Sequence, residues 1–288
     1  MIANAGLDTG LAELSVLITG ASGGIGFATA ELFAHEGSFL ALHANARGDE
    51  LAARVEARRL PPNTACFSAD LRSAEASERL LASAVERFGR VDVCIVNAGI
   101  WPPEDQPLHR MSAARLREVI DVNLLGALHT ARAFLGALER TGPRSDGRGT
   151  SLCFVGSTAG RFGERGHVEY AASKAALRGV LLTLKNEIVE LDPRGRVNLV
   201  EPGWTATSMA DGALSDDALL RRSLATTPLR QLARPSDVAS ALVFLSSPVL
   251  ARHVTGEVLT VAGGMEGRLR WTPDQIDPAA LRRGASAK

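Results

Sequence analysis

Near its amino terminus the chain reads Ser15-Val16-Leu17-Ile18-Thr19-Gly20-Ala21-Ser22-Gly23-Gly24-Ile25-Gly26, a short apolar run that passes directly into a glycine-rich turn. Residues 27–35 follow with apolar side chains at helical spacing, so this stretch predicts a strand, a turn and a helix. Gly20 allows a tight turn, Gly24 lets backbone N–H groups approach a pyrophosphate, and Gly26 lets the helix pack on a sheet. The positive end of the helix dipole favours the same anion. The spacing is G-x-x-x-G-x-G rather than the commoner G-x-G-x-x-G, and an ordinary glycine-rich turn is the alternative interpretation.

The rest of the chain alternates apolar strands with helix-like segments. The further predicted strands are Phe39–Ala44, Thr64–Ser68, Val91–Val96, Ser151–Val155, Arg196–Val200 and Val258–Val261. The predicted helices between them include Ala74–Phe88, Ser112–Leu138, Tyr170–Leu191 and Pro235–Leu245. This alternation predicts an α/β fold, a single Rossmann-type, doubly wound parallel sheet with helices on both faces. Ligands of such sheets bind at the carboxyl ends of the strands, which is where small and polar residues follow the predicted strands.

A tyrosine and a lysine lie one helical turn apart in Tyr170-Ala171-Ala172-Ser173-Lys174, and Ser157 follows the predicted strand Ser151–Val155. An ammonium on the same helix face favours the phenolate, which predicts a Tyr170 pKa below its usual value of about 10. Such a phenol can exchange a proton near neutral pH, and the Ser157 hydroxyl can polarise a carbonyl beside it. Taken alone, the pair is more typical of a surface helix with a snorkelling lysine; the glycine-rich turn is what favours chemistry.

Together these motifs resemble the short-chain dehydrogenase/reductase family, from about Ser15 to Met265. The matching residues, in order, are Thr19-Gly20-x-x-x-Gly24-Ile25-Gly26, Asn97-Ala98-Gly99, Asn123, Ser157, Tyr170-x-x-x-Lys174 and Pro202-Gly203-x-x-x-Thr207. Within the family the chain looks most like the 3-oxoacyl-(acyl-carrier-protein) reductase branch, including the closing segments Val254-Thr255-Gly256 and Gly263-Gly264-Met265. The resemblance implies an NAD(P)(H)-dependent oxidoreductase that interconverts a ketone and a secondary alcohol by hydride transfer.

The resemblance also implies the catalytic roles. Tyr170 would be the general acid in reduction and the general base in oxidation, and Lys174 would lower its pKa and bond the nicotinamide ribose. Ser157 would hold the substrate oxygen. Asn123 would anchor a water in the proton relay, although a helix residue bonded to backbone is its plainer interpretation. A non-catalytic nucleotide-binding sensor or scaffold is a further alternative, which the presence of all four residues disfavours.

The implied cofactor contacts follow the ends of the predicted strands. Asp70 would lie near the adenine, Asn97 near the ribose, and the backbone around Thr205 with the Thr207 hydroxyl would fix the carboxamide. Asp70 as a turn-former and Thr207 as a cap are the alternatives. The complete implied set is Thr19, Gly20, Ser22, Gly24, Ile25, Gly26, Asn45, Arg47, Asp70, Leu71, Asn97, Ala98, Gly99, Tyr170, Lys174, Pro202, Gly203, Thr205 and Thr207.

The end of the second strand bears on which dinucleotide is bound. An NAD site usually places an acid there, about twenty residues after the glycines, to bind the ribose hydroxyl. Here the strand runs into Ala44-Asn45-Ala46-Arg47 with no carboxylate before Asp49. This pattern favours NADP(H). NAD(H) remains the alternative, because Gly23 stands where NADP-using relatives often carry Arg or Lys and because Arg47 suits a solvated loop equally well.

Composition narrows the classes of partner and compartment. The chain has 288 residues, 45% hydrophobic residues and a formal net charge of zero, which predicts one α/β domain and gives no reason to expect nucleic acid or a membrane. No secretory signal is evident. The three cysteines, Cys66, Cys94 and Cys153, fall in predicted buried strands, so reduced thiols and a cytoplasmic location are expected. The histidines show no metal-ligand spacing, and no metal is predicted.

The expected organisation is one nucleotide-binding and catalytic domain over residues 1–265, with a substrate lid at about 204–229 and a carboxyl-terminal extension over 266–288. Residues 100–108, 158–169 and 204–229 are expected to build the pocket for a small ketone or alcohol. Its apolar lining is predicted to include Trp101, Phe162, Trp204 and Met209, with ordinary packing as the equal alternative.

Two surfaces of the predicted helices suggest partners. The helices Ser112–Leu138 and Tyr170–Leu191 are expected to pair in a homodimer or homotetramer, as they do in the family. At the end of the second helix, acidic Glu187, Glu190 and Asp192 are offset only by Arg194 and Arg196. This charge argues against docking of an acidic acyl carrier protein, so a ketone reductase or alcohol dehydrogenase leads and a 3-oxoacyl-thioester reductase is the runner-up.

Overall fold

The computed structural model describes residues 7–210, 217–267, 273–275 and 277–278. Seven parallel strands form one sheet in the order β3-β2-β1-β4-β5-β6-β7. The strands are β1 Ser15–Ile18, β2 Phe39–Ala44, β3 Thr64–Ser68, β4 Val93–Val96, β5 Ser151–Val155, β6 Arg196–Pro202 and β7 Val258–Val261. The predicted Rossmann-type sheet is therefore confirmed. Its order reverses between β1 and β4, and the crevice at such a reversal is where doubly wound sheets bind ligands.

Helices cover both faces of the sheet. They are α1 Gly24–His35, α2 Gly48–Ala57, α3 Ala74–Phe88, α4 Ala113–Ile120, α5 Gly126–Thr141, α6 Thr158–Phe162, α7 Val168–Leu191, α8 Asp217–Leu224 and α9 Pro235–Ser246. One apolar core includes Phe27 of α1 and Leu242 of α9, and the other includes Phe134 of α5 and Leu181 of α7. Neighbouring residues of β1 alternate between the two cores, as the two-residue period of a strand requires.

One predicted helix is interrupted. Instead of a single helix over Ser112–Leu138, the chain forms α4, a π-helical turn over Asp121–Leu125, and α5. In the wide turn the Gly126 N–H donates to the Asp121 carbonyl, five residues earlier. Such turns occur mostly at functional sites, and this one carries Asn123. Apolar periodicity does not reveal it, because one extra residue in a turn hardly disturbs the pattern.

The cysteines divide in a way the sequence did not predict. Cys94 and Cys153 are buried as expected, and burial raises the pKa of each thiol. The expectation for Cys66 was wrong, because its side chain is exposed. The cause is the strand order: β3 is an edge strand, so less of it is covered than of the central strands.

Two kinds of feature are absent from the residues that the structure describes. Within the described ranges, no helix is both long and apolar enough to span a bilayer. The same part of the chain contains no cluster of three histidine, cysteine, aspartate or glutamate residues that could hold a metal ion.

Candidate active site

The glycine-rich turn packs too closely for any side chain. Gly20 has a φ of +65°, and a Cβ built on it would lie 2.8 Å from the Cα of Ala98. A Cβ on Gly26 would lie 2.5 Å from the Gly20 carbonyl oxygen, and one on Gly24 would lie 2.8 Å from Cγ2 of Thr207. Helix α1 begins at Gly24 without a side-chain cap. The cradle and the uncapped helix end fit a pyrophosphate, as the sequence predicted.

A buried pair of side chains holds this turn in place. Thr19 is fully buried, and its Oγ1 accepts hydrogen bonds from the N–H groups of Asn97 (3.0 Å) and Ala98 (3.1 Å). The Asn97 Nδ2 donates to the carbonyls of Thr19 (2.9 Å) and Gly20 (3.2 Å). Thr19 therefore lies behind the cleft surface, where its side chain supports the cofactor loop without facing the ligand.

The turn opens into a cleft of about 810 Å³ at the carboxyl ends of the strands, a volume within the range of ligand sites. The structure brings nearly all the predicted site residues to its wall. The lining members are Gly20, Ser22, Gly24, Ile25, Gly26, Asn45, Arg47, Asp70, Leu71, Asn97, Ala98, Gly99, Ser157, Tyr170, Lys174, Pro202, Gly203, Thr205 and Thr207. Thr19 and Asn123 are the two predicted members that lie behind the wall.

Ser157 and Tyr170 meet at the base of the cleft. Ser157 ends the loop after β5 and caps α6, because its Oγ accepts a hydrogen bond from the Ala159 N–H at 3.1 Å. The same side chain hydrogen-bonds the Tyr170 hydroxyl, which α7 presents from its first turn. The two hydroxyls that the sequence separates by a loop and a short helix are therefore adjacent.

The prediction that Lys174 lowers the Tyr170 pKa was wrong for this structure. Burial raises the pKa of Tyr170, a hydrogen bond from Ser157 lowers it, and the charge of Glu164 raises it again. Lys174 lies 5.9 Å from the centre of the Tyr170 ring, but its Nζ donates to the Val155 carbonyl at 2.9 Å. Burial lowers the Lys174 pKa to about 8. Desolvation disfavours the charged form of both groups, which helical spacing alone could not predict.

A direct titration tests this correction. Tyr170 is the chain's one tyrosine, so tyrosinate absorbance in the near ultraviolet reports this residue without interference from another. We expect its pKa in the ligand-free protein to lie above the usual value of about 10. Titration below that value would show that the lysine charge outweighs burial, as the helical spacing predicts.

Asn123 is held by backbone groups rather than left facing the cleft. Its Oδ1 accepts from the Ile100 N–H (2.7 Å), and its Nδ2 donates to the Ile100 carbonyl (2.9 Å) and to Oγ of Ser173 (3.3 Å). The side chain is almost fully buried. Its direct effect is to fasten the loop after β4, at Ile100, to α7 at Ser173. A water held by Asn123 stays a prediction.

The far end of the cleft carries two guanidinium groups. Arg47 lines it beside Asn45 and lies 3.8 Å from the Glu50 carboxylate. Arg72 also lines it, and its guanidinium binds both carboxylate oxygens of Asp70, which lowers the pKa of that carboxyl. Strand β2 carries no carboxylate that could reach this end of the cleft. Arg72 was missed, although it stands two residues after Asp70 in the sequence.

His43 is a second residue that the sequence did not single out. It is almost fully buried, its Nδ1 accepts from the Gly20 N–H at 3.3 Å, and its Nε2 lies 2.9 Å from the Ala69 carbonyl oxygen. Burial lowers its pKa, so the ring is neutral and joins the loops after β1 and β3. Only its place at the end of β2 could have signalled this role.

The near end of the cleft is lined by Trp101, Trp204 and Met209 with Glu164. Three of the four predicted apolar side chains are therefore present. Phe162 does not line the cleft, because its ring packs under the guanidinium of Arg161.

Comparison with known proteins agrees with this geometry. Residues 20–266 match the family model described as enoyl-(acyl-carrier-protein) reductase. The chain is 34% identical to the 3-oxoacyl-(acyl-carrier-protein) reductase of Vibrio cholerae, over 86% of this chain and 96% of that one. The chain belongs to the short-chain dehydrogenase/reductase family. A crystal structure of a short-chain dehydrogenase/reductase from Brucella melitensis, titled glucose/ribitol dehydrogenase, is 34% identical, with a TM-score of 0.77 over 88% of this chain and 98% of that one.

Relatives of this dehydrogenase/reductase differ in substrate. It is 35% identical to the L-rhamnose 1-dehydrogenase (NAD(P)(+)) of Azotobacter vinelandii, over 88% of this chain and 97% of that one. It is 32% identical to the cis-4-hydroxycyclohexanecarboxylate dehydrogenase of Sinomonas cyclohexanicum, over 88% and 96%. The chain is therefore an oxidoreductase that interconverts a CH–OH group and a carbonyl with a nicotinamide dinucleotide.

Proposed function

We propose that the chain is an NADP(H)-dependent ketone reductase or alcohol dehydrogenase in which Tyr170 moves the proton. The observation that carries the proposal is the placement of Ser157 and Tyr170 together in the wall of the cleft that the glycine turn opens into, where the Ser157 side chain lowers the pKa of the phenol. A phenol and a hydroxyl placed together can bind one carbonyl oxygen from two directions.

When bound in the cleft, the nicotinamide supplies the hydride in reduction and takes it in oxidation. The chain's own residues then position the substrate and exchange a proton with its oxygen. Ser157 donates a hydrogen bond to the substrate oxygen, and in reduction the Tyr170 O–H gives its proton to that oxygen as the alkoxide forms. Lys174, whose Nζ lies 5.9 Å from the centre of the Tyr170 ring, would bond the nicotinamide ribose, and solvent returns the proton to the phenolate. In oxidation the phenolate takes the proton from the alcohol.

The preference for NADP(H) is supported by the two guanidinium groups at the adenine end. Arg47 and Arg72 line that end, whereas the carboxylate of Asp70 is bound by Arg72. Such cations favour a ribose phosphate. The Asp70 carboxylate, which Arg72 already binds, is less able to accept a hydrogen bond from an unphosphorylated ribose hydroxyl. NAD(H) is the alternative, and Glu50 beside Arg47 supports it.

Replacing Arg47 by leucine tests this preference. We expect kcat/KM for NADPH to fall by about tenfold while kcat/KM for NADH changes by less than about twofold, because one partly exposed charge–phosphate contact is lost. Arg58→Leu is the matched control, since Arg58 is an exposed guanidinium just after α2 that pairs with Glu31. Equal losses with both cofactors, or a wild-type preference for NADH, would contradict the assignment.

We further propose one catalytic domain over residues 1–265, with a lid at about 204–229 and an extension over 266–288. The start of the lid contacts two other parts of the chain. Thr207 packs on Gly24 of the glycine turn, and Thr205 forms a β-bridge with Ala233. Residues 211–216 of the lid, and most of the extension with Trp271, lie outside the described residues.

Assembly and compartment are also proposals. Exposed apolar side chains on α5 and α7, including Leu128, Leu182 and Val189, support a homodimer or homotetramer that pairs these helices. Light scattering that shows a monomer would contradict it. The two buried thiols and the unpaired Cys66 support a cytoplasmic location, where thiols stay reduced.

A 3-oxoacyl-thioester reductase is the second candidate, supported by the similarity to the Vibrio cholerae enzyme. The charge argument against a carrier protein changes in the structure, because Asp192 and Arg196 are both buried. Asp192 accepts from Thr150, and Arg196 donates to the Leu245 carbonyl. Glu187, Glu190 and Arg194 remain exposed there. Reduction of an acetoacetyl thioester far faster than of simple ketones would favour this candidate.

A further inference from the structure

A buried histidine lies behind one wall of the substrate end of the cleft. The Trp101 indole lines the cleft and packs on the His167 imidazole, with ring centres 4.8 Å apart. His167 directly precedes α7, is almost fully buried and is not among the described residues that line the cleft. The imidazole therefore contacts Trp101 from the protein interior rather than from the cleft.

Two hydrogen bonds fix the orientation of the His167 ring. Its Nδ1 lies 3.2 Å from the Arg115 guanidinium, and its Nε2 lies 3.0 Å from the Asp105 carboxylate. A guanidinium can only donate, which assigns Nδ1 as the acceptor from Arg115 and Nε2–H as the donor to Asp105. Because both ring nitrogens are engaged, the imidazole cannot rotate without losing a hydrogen bond in a buried place.

Arg115 is itself held by several partners. From α4 it donates to the Glu169 carboxylate at 2.8 Å and to the carbonyls of Glu104 at 2.6 Å and Gly166 at 3.2 Å. Its side chain is 11% exposed, and the Glu169 side chain, in the first turn of α7, is fully buried. The rigid fork of a guanidinium suits such multiple bonding. One side chain thus joins the loop after β4, the loop before α7 and α7 itself.

The two loops also contact each other directly beside these side chains. The Gln106 N–H donates to the Gly166 carbonyl at 3.0 Å. Gly166 has a φ of +84°, and a Cβ built on it would lie 2.8 Å from Cβ of Asp105. This close approach holds Asp105, which accepts the Nε2–H bond, against the loop that carries His167. Backbone contacts as well as side chains therefore support the imidazole behind Trp101.

We propose that His167 is a positioning residue which, oriented by Arg115, fixes Trp101 as one wall of the substrate site. The inference rests on the proposed function and adds to it two residues that do not line the cleft. An indole that is fixed before the ketone arrives loses little rotational freedom on binding, so the ketone binds more tightly than it would beside a mobile indole. His167 therefore acts on substrate affinity rather than on the hydride or proton step.

The motion of Trp101 in His167→Ala is the first test. In a protein that also carries Trp204→Phe and Trp271→Phe, Trp101 is the one remaining tryptophan, so the decay of fluorescence anisotropy reports this indole. We expect His167→Ala to increase the part of the anisotropy that is lost to subnanosecond motion by at least about twofold. This measurement needs no ligand, so it does not depend on the proposed function.

Kinetics with cyclohexanone as the probe, in the protein that keeps its three tryptophans, are the second test. We expect KM for cyclohexanone in His167→Ala to rise by about five- to tenfold, because the indole must then be ordered on binding. The value of kcat should change by less than about threefold, and the affinity for NADP(H) by less than about twofold, as expected when only substrate binding is weakened. A residue that served stability alone would lower the melting temperature without this separation of KM from kcat.

Two further variants sharpen the kinetic test. Arg115→Lys keeps a positive charge beside Glu169, but one ammonium cannot reach all four acceptors of the guanidinium. Its KM should lie between those of wild type and His167→Ala, and a wild-type KM would overturn the role given to Arg115. His109→Ala is the matched control, since His109 is an exposed histidine in the turn Leu108–Arg110 and does not line the cleft. It should leave KM, kcat and cofactor affinity unchanged.

The outcomes separate this inference from the proposed function. An unchanged Trp101 anisotropy in His167→Ala, an unchanged KM, or parallel losses in kcat and NADP(H) affinity would overturn the inference. Greater motion of Trp101 and weaker calorimetric binding of cyclohexanone to the protein–NADP⁺ complex, with no reduction of any ketone by wild type, would support the inference and contradict the proposed function. Reduction by wild type that Tyr170→Phe abolishes, with the same KM in His167→Ala, would do the reverse.

Discussion

Tyr170→Phe is expected to lower kcat for a competent ketone by about a thousandfold, within the range that a positioned general acid contributes. The substitution keeps the ring and removes the O–H that Ser157 contacts. Dinucleotide affinity should change by less than about twofold, because the glycine turn and the adenine end of the cleft are untouched. Initial-rate assays at varied ketone concentration measure kcat, and calorimetric titration measures the affinity for the dinucleotide.

The control for this variant is Ser157→Ala, which leaves the phenol and removes its partner. It should lower kcat while leaving a proton donor, so its loss should be smaller than that of Tyr170→Phe. Turnover that survives essentially intact in Tyr170→Phe would disprove the mechanism. A wild-type protein that binds dinucleotide but reduces no ketone would instead favour the sensor or scaffold alternative.

Lys174→Met is expected to stabilise the fold while it impairs catalysis by about a hundredfold or more. Lys174 is 4% exposed, and its pKa falls from 10.5 to about 8. This shift corresponds to a destabilisation of roughly 3 kcal/mol at pH 7. Removal of the hydrogen bond to the Val155 carbonyl offsets about 1 kcal/mol of the gain. Thermal unfolding of the variant should therefore show a net gain of about 2 kcal/mol.

The pH dependence of this gain has a definite sign. Below pH 8 the lysine is protonated in both the folded and the unfolded chain, so the cost of burying its charge is fully present. Between about pH 8 and 10.5 the unfolded chain binds the proton and the folded chain does not, so wild-type stability rises relative to the variant. A variant less stable than wild type at pH 7 would show that the ammonium is well compensated.

Much of the cofactor half was predictable from local sequence. A Cβ at Gly20, Gly24 or Gly26 would clash with neighbouring atoms, so only glycine fits this turn. The three glycines in the sequence therefore reveal it. The alternation of apolar strands and helices determined the sheet for a similar reason, since a strand covered on both faces has to be apolar throughout. The order of the motifs along the chain also predicts that Ser157 and Tyr170 lie at the carboxyl ends of the strands.

The remaining features depend on neighbours that are distant in the sequence. The π turn at Asn123 and the bonds to Ile100 leave no periodic signal. Arg72 and His43 reach the cleft because the ends of different strands and the loops after them converge there. The exposure of Cys66 follows from the position of β3 at the sheet edge, which hydrophobicity within the strand does not reveal.

The sequence by itself determined the glycine turn and the parallel sheet, and it predicted the proton-handling residues, because each is specified by residue type and local spacing. The tertiary structure alone decided the direction in which the pKa values of Tyr170 and Lys174 move. It also decided which charged side chains line the cleft. The physical reason is that desolvation and Coulomb energy depend on the atoms packed around a group, and those atoms come from segments far apart along the chain.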